Sequence, residues 1–165
     1  MSRVLQPKPL TAEAFAPFGN VVEARGMPQA INYGATKKFA DLATIDTGTG
    51  GKAVAHLYRS KPPVYPFALR VMENHPLGSQ LFMPLCSLPF LVVVAPRGKF
   101  DPHAIEAFTA ASNQGVNIGA GVWHHYSLAL GGVSDFLVID RDGPGDNLEE
   151  IVLDGSILLA APDGL

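Results

Sequence analysis

The chain has 165 residues, of which 47% are hydrophobic and 16% charged, and its formal net charge is −3. That is enough to bury a full core without disulfides or a structural metal, and it lacks the clustered positive charge that nucleic-acid binding requires. The longest apolar run, Leu88 to Ala95, is too short to span a bilayer, and Met1 to Leu10 has no apolar centre of the signal-peptide kind, so a cytoplasmic protein with no membrane partner is expected.

Fourteen prolines and seventeen glycines, without a repeat period, read as frequent turns between short strands. Thr11 is suited to cap a short helix over Ala12 to Phe18, closed by Gly19-Asn20, with a strand from Val21 to Ala24 after it. Ala30 to Thr44 shows no clean period. Asp46 to Gly51 is a flexible turn and not a phosphate loop, because no helix-opening Lys-Ser or Lys-Thr follows. Val54 to Arg59 alternates as a strand, ended by Lys61-Pro62-Pro63. Phe67 to His75 alternates more clearly: Phe67, Leu69, Val71, Glu73 and His75 share one face, and Ala68, Arg70, Met72 and Asn74 the other.

Phe90 to Ala95 is continuously apolar and β-branched, as a strand buried on both faces should be. Asp101-Pro102 has the form of a cap with proline at the first helical position, which predicts a helix over His103 to Ser112 with Ile105, Phe108 and Ala111 on its apolar side. Gly121 to Leu130, Ser134 to Asp140 and Ile151 to Leu159 complete the strands. The pattern predicts one all-β domain over residues 1–165, a barrel or sandwich with two or more short helices. Cys86, the only cysteine, is expected to be a small buried hydrophobe.

Three of the five histidines lie in two segments, Met72-Glu73-Asn74-His75-Pro76-Leu77-Gly78-Ser79-Gln80 and Gly121-Val122-Trp123-His124-His125. Alternation sends Glu73 and His75 along the apolar face toward the mouth of a barrel. Pro76-Leu77-Gly78 turns the chain, so Gln80 starts the returning strand near His75. Of the paired histidines, Gly121-x-x-His124 favours His124 inward and His125 outward. Trp123 reads as a core or interface anchor, His56 and His103 as structural, and Ser79 as a pocket hydrogen bonder or a turn former.

This spacing resembles the cupin pattern, in which alternate strand positions supply two ligands, an acid or amide follows about five residues on, and a second motif ends in Gly-x-x-His. The matching positions are Glu73, His75, Gln80 and His124. Mixed nitrogen and oxygen donors suit nickel, zinc, manganese or iron(II).

A wider resemblance runs through Leu10 to Gly19, Ile31-Asn32-x-Gly34, His75-Pro76-Leu77-Gly78-Ser79-Gln80, Phe82-x-Pro84, Val116-Asn117, Val122-Trp123-His124-His125 and Asp135 to Arg141. Together these motifs resemble the ureidoglycolate lyase family of allantoin catabolism. The resemblance implies a cupin-like double-stranded β-helix or jelly-roll barrel, a homodimer and a divalent metal, nickel by family association. It also implies cleavage of (S)-ureidoglycolate to glyoxylate and urea. In that chemistry His75 or His124 would serve as base or metal ligand, and Glu73 would assist the leaving group. Gln80 and Ser79 would contact the substrate, and Lys38, Arg59 or Arg141 would hold its carboxylate. Two rival readings are an amidohydrolase that releases ammonia and carbon dioxide from the same substrate, and a non-catalytic small-molecule-binding module.

Overall fold

The computed structural model describes residues 3–162. Seventeen strands and one helical turn follow in chain order: β1 (Arg3–Leu5), β2 (Lys8–Pro9), α1 (Ala12–Phe15), β3 (Gly19–Val22), β4 (Gln29–Ile31), β5 (Thr36–Lys38), β6 (Lys52–Ser60), β7 (Phe67–Ala68), β8 (Val71–Asn74) and β9 (Gln80–Pro84). After them come β10 (Phe90–Ala95), β11 (Glu106–Ala110), β12 (Gly115–Ile118), β13 (Trp123–His124), β14 (Leu128–Ala129), β15 (Ser134–Asp142), β16 (Glu149–Val152) and β17 (Ile157–Leu159). Short 3-10 turns occupy Asn32–Gly34 and Pro102–Ala104.

Two large sheets organise these pieces. The first has the order β16-β8-β13-β10-β11-β2, with β14 also on β10, and the second β3-β12-β9-β15-β6. Between them lies one core, built from Phe90, Val92, Val94 and Phe108 of the first sheet and Phe82, Val116, Phe136 and Val138 of the second. The opposite face of the first sheet carries another core, where Leu91, Val93, Ala107 and Trp123 pack against Leu5, Ile157 and Leu159 of the small sheet β1-β17-β7. β10 is therefore buried on both sides, as its unbroken apolar sequence requires. The expected mainly-β architecture is present as two facing sheets. Their hydrogen-bonded ladders remain separate among the described residues.

The early helix is a single turn. Thr11 caps it as predicted, its Oγ1 accepting the Ala14 N–H at 3.1 Å, but it ends at Phe15 and the strand after it begins at Gly19. The second predicted helix, His103 to Ser112, is wrong. Asp101 does accept the His103 N–H at 2.8 Å, yet only one 3-10 turn follows and Ile105 is already extended. β11 then pairs antiparallel with β10, Phe108 opposite Val92. Ile105 and Ala107 enter the outer core, Phe108 and Ala110 the inter-sheet core. A strand buried on both faces has apolar residues at every spacing, and some of them match a helical period by chance.

The long strand predicted over Phe67 to His75 is also interrupted. β7 belongs to the small sheet and β8 to the first large one, with Leu69 and Arg70 between them. Leu69 and Met72 both enter the outer core, so alternation resets across that break. Gly121 to Leu130 and Ile151 to Leu159 likewise divide, into β13 with β14 and β16 with β17. The segment without a clean period, Ala30 to Thr44, holds all but the first residue of the β4–β5 hairpin.

Candidate functional site

β13 is two residues long, and its neighbours fix where each side chain points. His124 lies opposite Val94 of β10 on one side and Glu73 of β8 on the other. Directly opposed residues share a sheet face, and Val94 is in the inter-sheet core, so His124 and Glu73 face the interior. Trp123, opposite Ala95, enters the outer core, and its indole N–H donates to the Gly98 carbonyl at 2.9 Å. Glu73 and His75 thus point inward, as predicted, though not because they share a face with Phe67 and Leu69.

The ring centroids of His75 and His124 are 5.2 Å apart, and one ligand atom from each of Glu73, His75 and His124 lies within 4.8 Å of the others. The turn that delivers His124 is tied to the same place. Gly121 has φ +74°, a left-handed conformation that suits glycine, and its N–H donates to the His75 carbonyl at 2.9 Å.

Gln80 comes from the other sheet. On β9 it is two positions before Phe82, which is in the inter-sheet core, and so shares the inward face. Its Oε1 lies 3.0 Å from His124 Nε2. The turn at Pro76-Leu77-Gly78 therefore carries the chain across from one sheet to its partner, and the site spans both.

The tautomers follow from the backbone. His124 Nδ1–H donates to the Val122 carbonyl at 3.0 Å, and His75 Nδ1–H donates to the Asn147 carbonyl at 2.8 Å. Each ring thereby keeps the Nε2 lone pair free, and His75 Nε2 is buried without any hydrogen-bond partner. Burial pushes the His124 pKa down to about 3, more than the Val122 carbonyl offsets, so the ring is neutral at ordinary pH. Its 3.7 Å approach to the Glu73 carboxylate is accordingly not an ion pair. Burial also pushes the Glu73 carboxyl up, against the opposing pull of His75 and with help from Glu150 and Asp140. Two imidazoles anchored through carbonyls, a carboxylate and an amide oxygen form a donor set that would suit a divalent cation.

A cavity of about 480 Å³ opens beside this cluster, lined by His75 together with Val54, His56, Asp140, Arg141 and Asn147. A groove of about 450 Å³ near Pro7, Pro9 and Gln114 has no titratable side chain in its lining. Chemistry, not size, singles out the former.

The remaining predicted residues separate. Arg141 is on the cavity wall, its Nε donating to the Thr47 carbonyl and Nη2 to those of Thr49 and Pro144. Ser79 is buried and stitched to Asp46: its Oγ accepts the Asp46 N–H, and its N–H donates to the Asp46 carbonyl. Lys38 is exposed on the two-stranded β4–β5 hairpin, and Arg59 is paired with Asp135 at 2.7 Å. His125 is buried as well, not turned out to solvent, and its ring meets Phe67 edge-on.

Three contributors, Asn147, His56 and Asp140, were not expected from the sequence. Asn147 lies in a loop with no periodic signal, yet its carbonyl fixes His75 and its Oδ1 accepts the Leu77 N–H at 2.8 Å. His56, read as structural, lines the cavity with Asp140. Alternation held the clue, since Phe136, Val138 and Asp140 share a face whose first two members are core.

The sequence profile of ureidoglycolate lyase matches residues 2–160. A ureidoglycolate lyase of Burkholderia mallei (strain NCTC 10229) is 50% identical over 159 residues, 95% of this chain and 94% of that one. Ureidoglycolate lyase 1 of Rhizobium meliloti (strain 1021) is 46% identical over 164 residues, 98% and 96% of the two chains. Among solved structures, a dTDP sugar isomerase of Desulfovibrio desulfuricans G20 aligns over 84% of this chain and 87% of that one, at 19% identity and a TM-score of 0.48. With a profile covering nearly its whole length and relatives at half identity, the chain belongs to the ureidoglycolate lyase family.

Proposed function

We propose that the chain cleaves (S)-ureidoglycolate to glyoxylate and urea. The observation that carries this reading is the meeting of Glu73, His75, Gln80 and His124 beside a small-molecule cavity, in a chain of this family. The substrate carries hydroxyl, carboxylate and ureido nitrogen on one carbon. In the reaction the hydroxyl O–H breaks, a carbonyl forms as the C–N bond breaks, and the departing urea nitrogen receives a proton.

Glu73 is suited to carry that proton. Burial raises its affinity for protons in the metal-free chain, and as the base it would take the hydroxyl proton and pass it to the departing nitrogen. His124, held neutral, serves as an acceptor and not as an acid. His75 and His124 through Nε2, Gln80 through Oε1 and Glu73 would hold a divalent cation. Nickel is the family expectation, and zinc or manganese suits the same donors. Such a cation supplies Lewis acidity that favours carbonyl formation. Arg141 would receive the substrate carboxylate through Nη1, which takes no part in the three bonds that anchor the side chain. Ser79 shapes the turn that presents Gln80. Lys38, on a separate hairpin, is not assigned a role.

We further read residues 1–165 as one catalytic domain, working in the cytoplasm as a homodimer. No described helix is long and apolar enough to cross a membrane. β6 leaves a nine-residue edge without a neighbour on its outer side among the described residues, with Leu57 60% exposed, and such edges are usually covered.

The test is an assay of urea and glyoxylate on racemic ureidoglycolate, with and without a chelator. Equimolar urea and glyoxylate, lost on chelation and restored by added metal, is the expected result. Ammonia without urea would overturn the lyase reading, and full turnover after complete chelation would remove the metal.

A further inference from the structure

The wall formed by the second sheet is more specific than a container for substrate would need. β6 and β15 pair so that Val54 is opposite Asp140, His56 opposite Val138 and Tyr58 opposite Phe136. Phe136 and Val138 are in the inter-sheet core, which puts His56, Tyr58 and Asp140 on the same inward face. Tyr58 also meets the core ring of Phe82 edge-on, and its hydroxyl donates to Asp140 Oδ2 at 3.3 Å. His56 stacks on Tyr58, with Nε2 3.8 Å from the same oxygen. Asp140 Oδ1 has no hydrogen-bond partner among the described residues. The result is a carboxylate braced from one side, 20% exposed, in the lining that it shares with His75.

We propose that Asp140, braced by Tyr58 and His56, recognises the ureido end of the substrate by accepting its N–H groups. This rests on the lyase reading and assigns an orientation within it. A fixed carboxylate repels the substrate's own carboxylate and attracts donors. Of the two ends of ureidoglycolate, only the –NH–CO–NH2 group offers them. The substrate's carboxylate accordingly turns toward Arg141 and the cation site, and its ureido end toward Asp140. Burial, then Asp140, pushes the Tyr58 hydroxyl pKa up, which keeps it protonated as a donor and leaves Asp140 Oδ1 for the ligand.

Binding of two uncleavable probes tests this, since neither has the hydroxyl that reaction requires. Ureidoacetate has the ureido group, and N-acetylglycine replaces its terminal NH2 with a methyl. By calorimetry the wild-type protein is expected to bind ureidoacetate tighter by about tenfold or more, the usual worth of a hydrogen bond to a charged group. Asp140→Ala should abolish that preference without weakening glyoxylate binding, and Asp140→Asn, nearly the same shape, should reduce the preference. Equal wild-type affinities, or a preference that survives Asp140→Ala, would overturn the assignment. Urea release is measured separately on ureidoglycolate. Its absence in the wild type defeats the lyase reading, whereas release with an undiminished preference in Asp140→Ala defeats the role of Asp140 alone.

Discussion

His124 Nε2 and Gln80 Oε1 lie 3.0 Å apart although they belong to facing sheets. With the His124 proton on Nδ1, committed to the Val122 carbonyl, both atoms are acceptors. Two acceptors at that distance need a cation between them, or the amide reversed so that its NH2 donates to the ring. The orphaned Nε2 of His75 and the nearby Glu73 carboxylate favour the cation, because an amide reversal satisfies neither.

Gln80→Leu separates these cases. If Gln80 is a ligand, metal affinity measured by competition with a chelating dye falls by at least about tenfold, and His124→Ala lowers it further. Unchanged metal affinity in Gln80→Leu would leave only the reversed amide.

Asn147 holds the His75–Leu77 segment twice, through its carbonyl on the His75 ring and its side chain on the Leu77 N–H. Asn147→Ala keeps the carbonyl but frees the loop that carries it. The expected loss is about 1 kcal/mol in stability and about 10–100-fold in metal affinity or kcat/KM. Asn147→Asp retains the acceptor and should recover most of the folding stability in denaturant titrations. Equal losses in both variants would show that the Leu77 bond is not what matters.

The identity of β11 as a strand has its own test. Phe108 is fully buried between the sheets, in edge contact with Phe15 at 5.5 Å and Phe18 at 6.0 Å. Phe108→Ala should cost about 3–5 kcal/mol, as large aromatic truncations in a core do, whereas Thr109→Ala, partly exposed, should cost far less. Similar costs at both positions would contradict this packing.

That segment also shows what the sequence made legible. β10 was readable because burial on both faces leaves an apolar, β-branched run with one interpretation. β11 was not, because Asp101-Pro102 gives a true local cap and only the pairing with β10 decides that the turn goes no further. At the site, the inward direction of Glu73, His75 and His124 was legible from alternation and the glycine turn. The break at Leu69-Arg70 puts Phe67 and Leu69 on the other face and leaves Glu73 and His75 pointing inward. Asn147 and Asp140 were hidden for different reasons. One acts from an aperiodic loop through its backbone carbonyl. The other sits one position from the Arg141 that drew attention as a clamp.

The buried histidines make a prediction about acid. His124 is pushed down to about 3 and His125 to about 4, in both cases by burial, from an ordinary value of 6.5. Between those values and 6.5 the unfolded chain binds protons that the folded chain refuses. Stability is therefore greatest above pH 6.5 and declines as pH falls toward 4, by up to about 1.4 kcal/mol per pH unit for each ring. Glu73 works in the opposite sense, because its raised pKa makes the folded chain the better proton binder above the usual 4.5. Two imidazoles against one carboxyl leave a net loss in acid. Thermal unfolding of the chelated protein from pH 7.5 to 4.5 measures it without competition from metal. His125→Asn, which removes one of the two rings, should make the decline clearly shallower, and a wild-type profile flat across this window would show that the rings titrate freely in the folded chain.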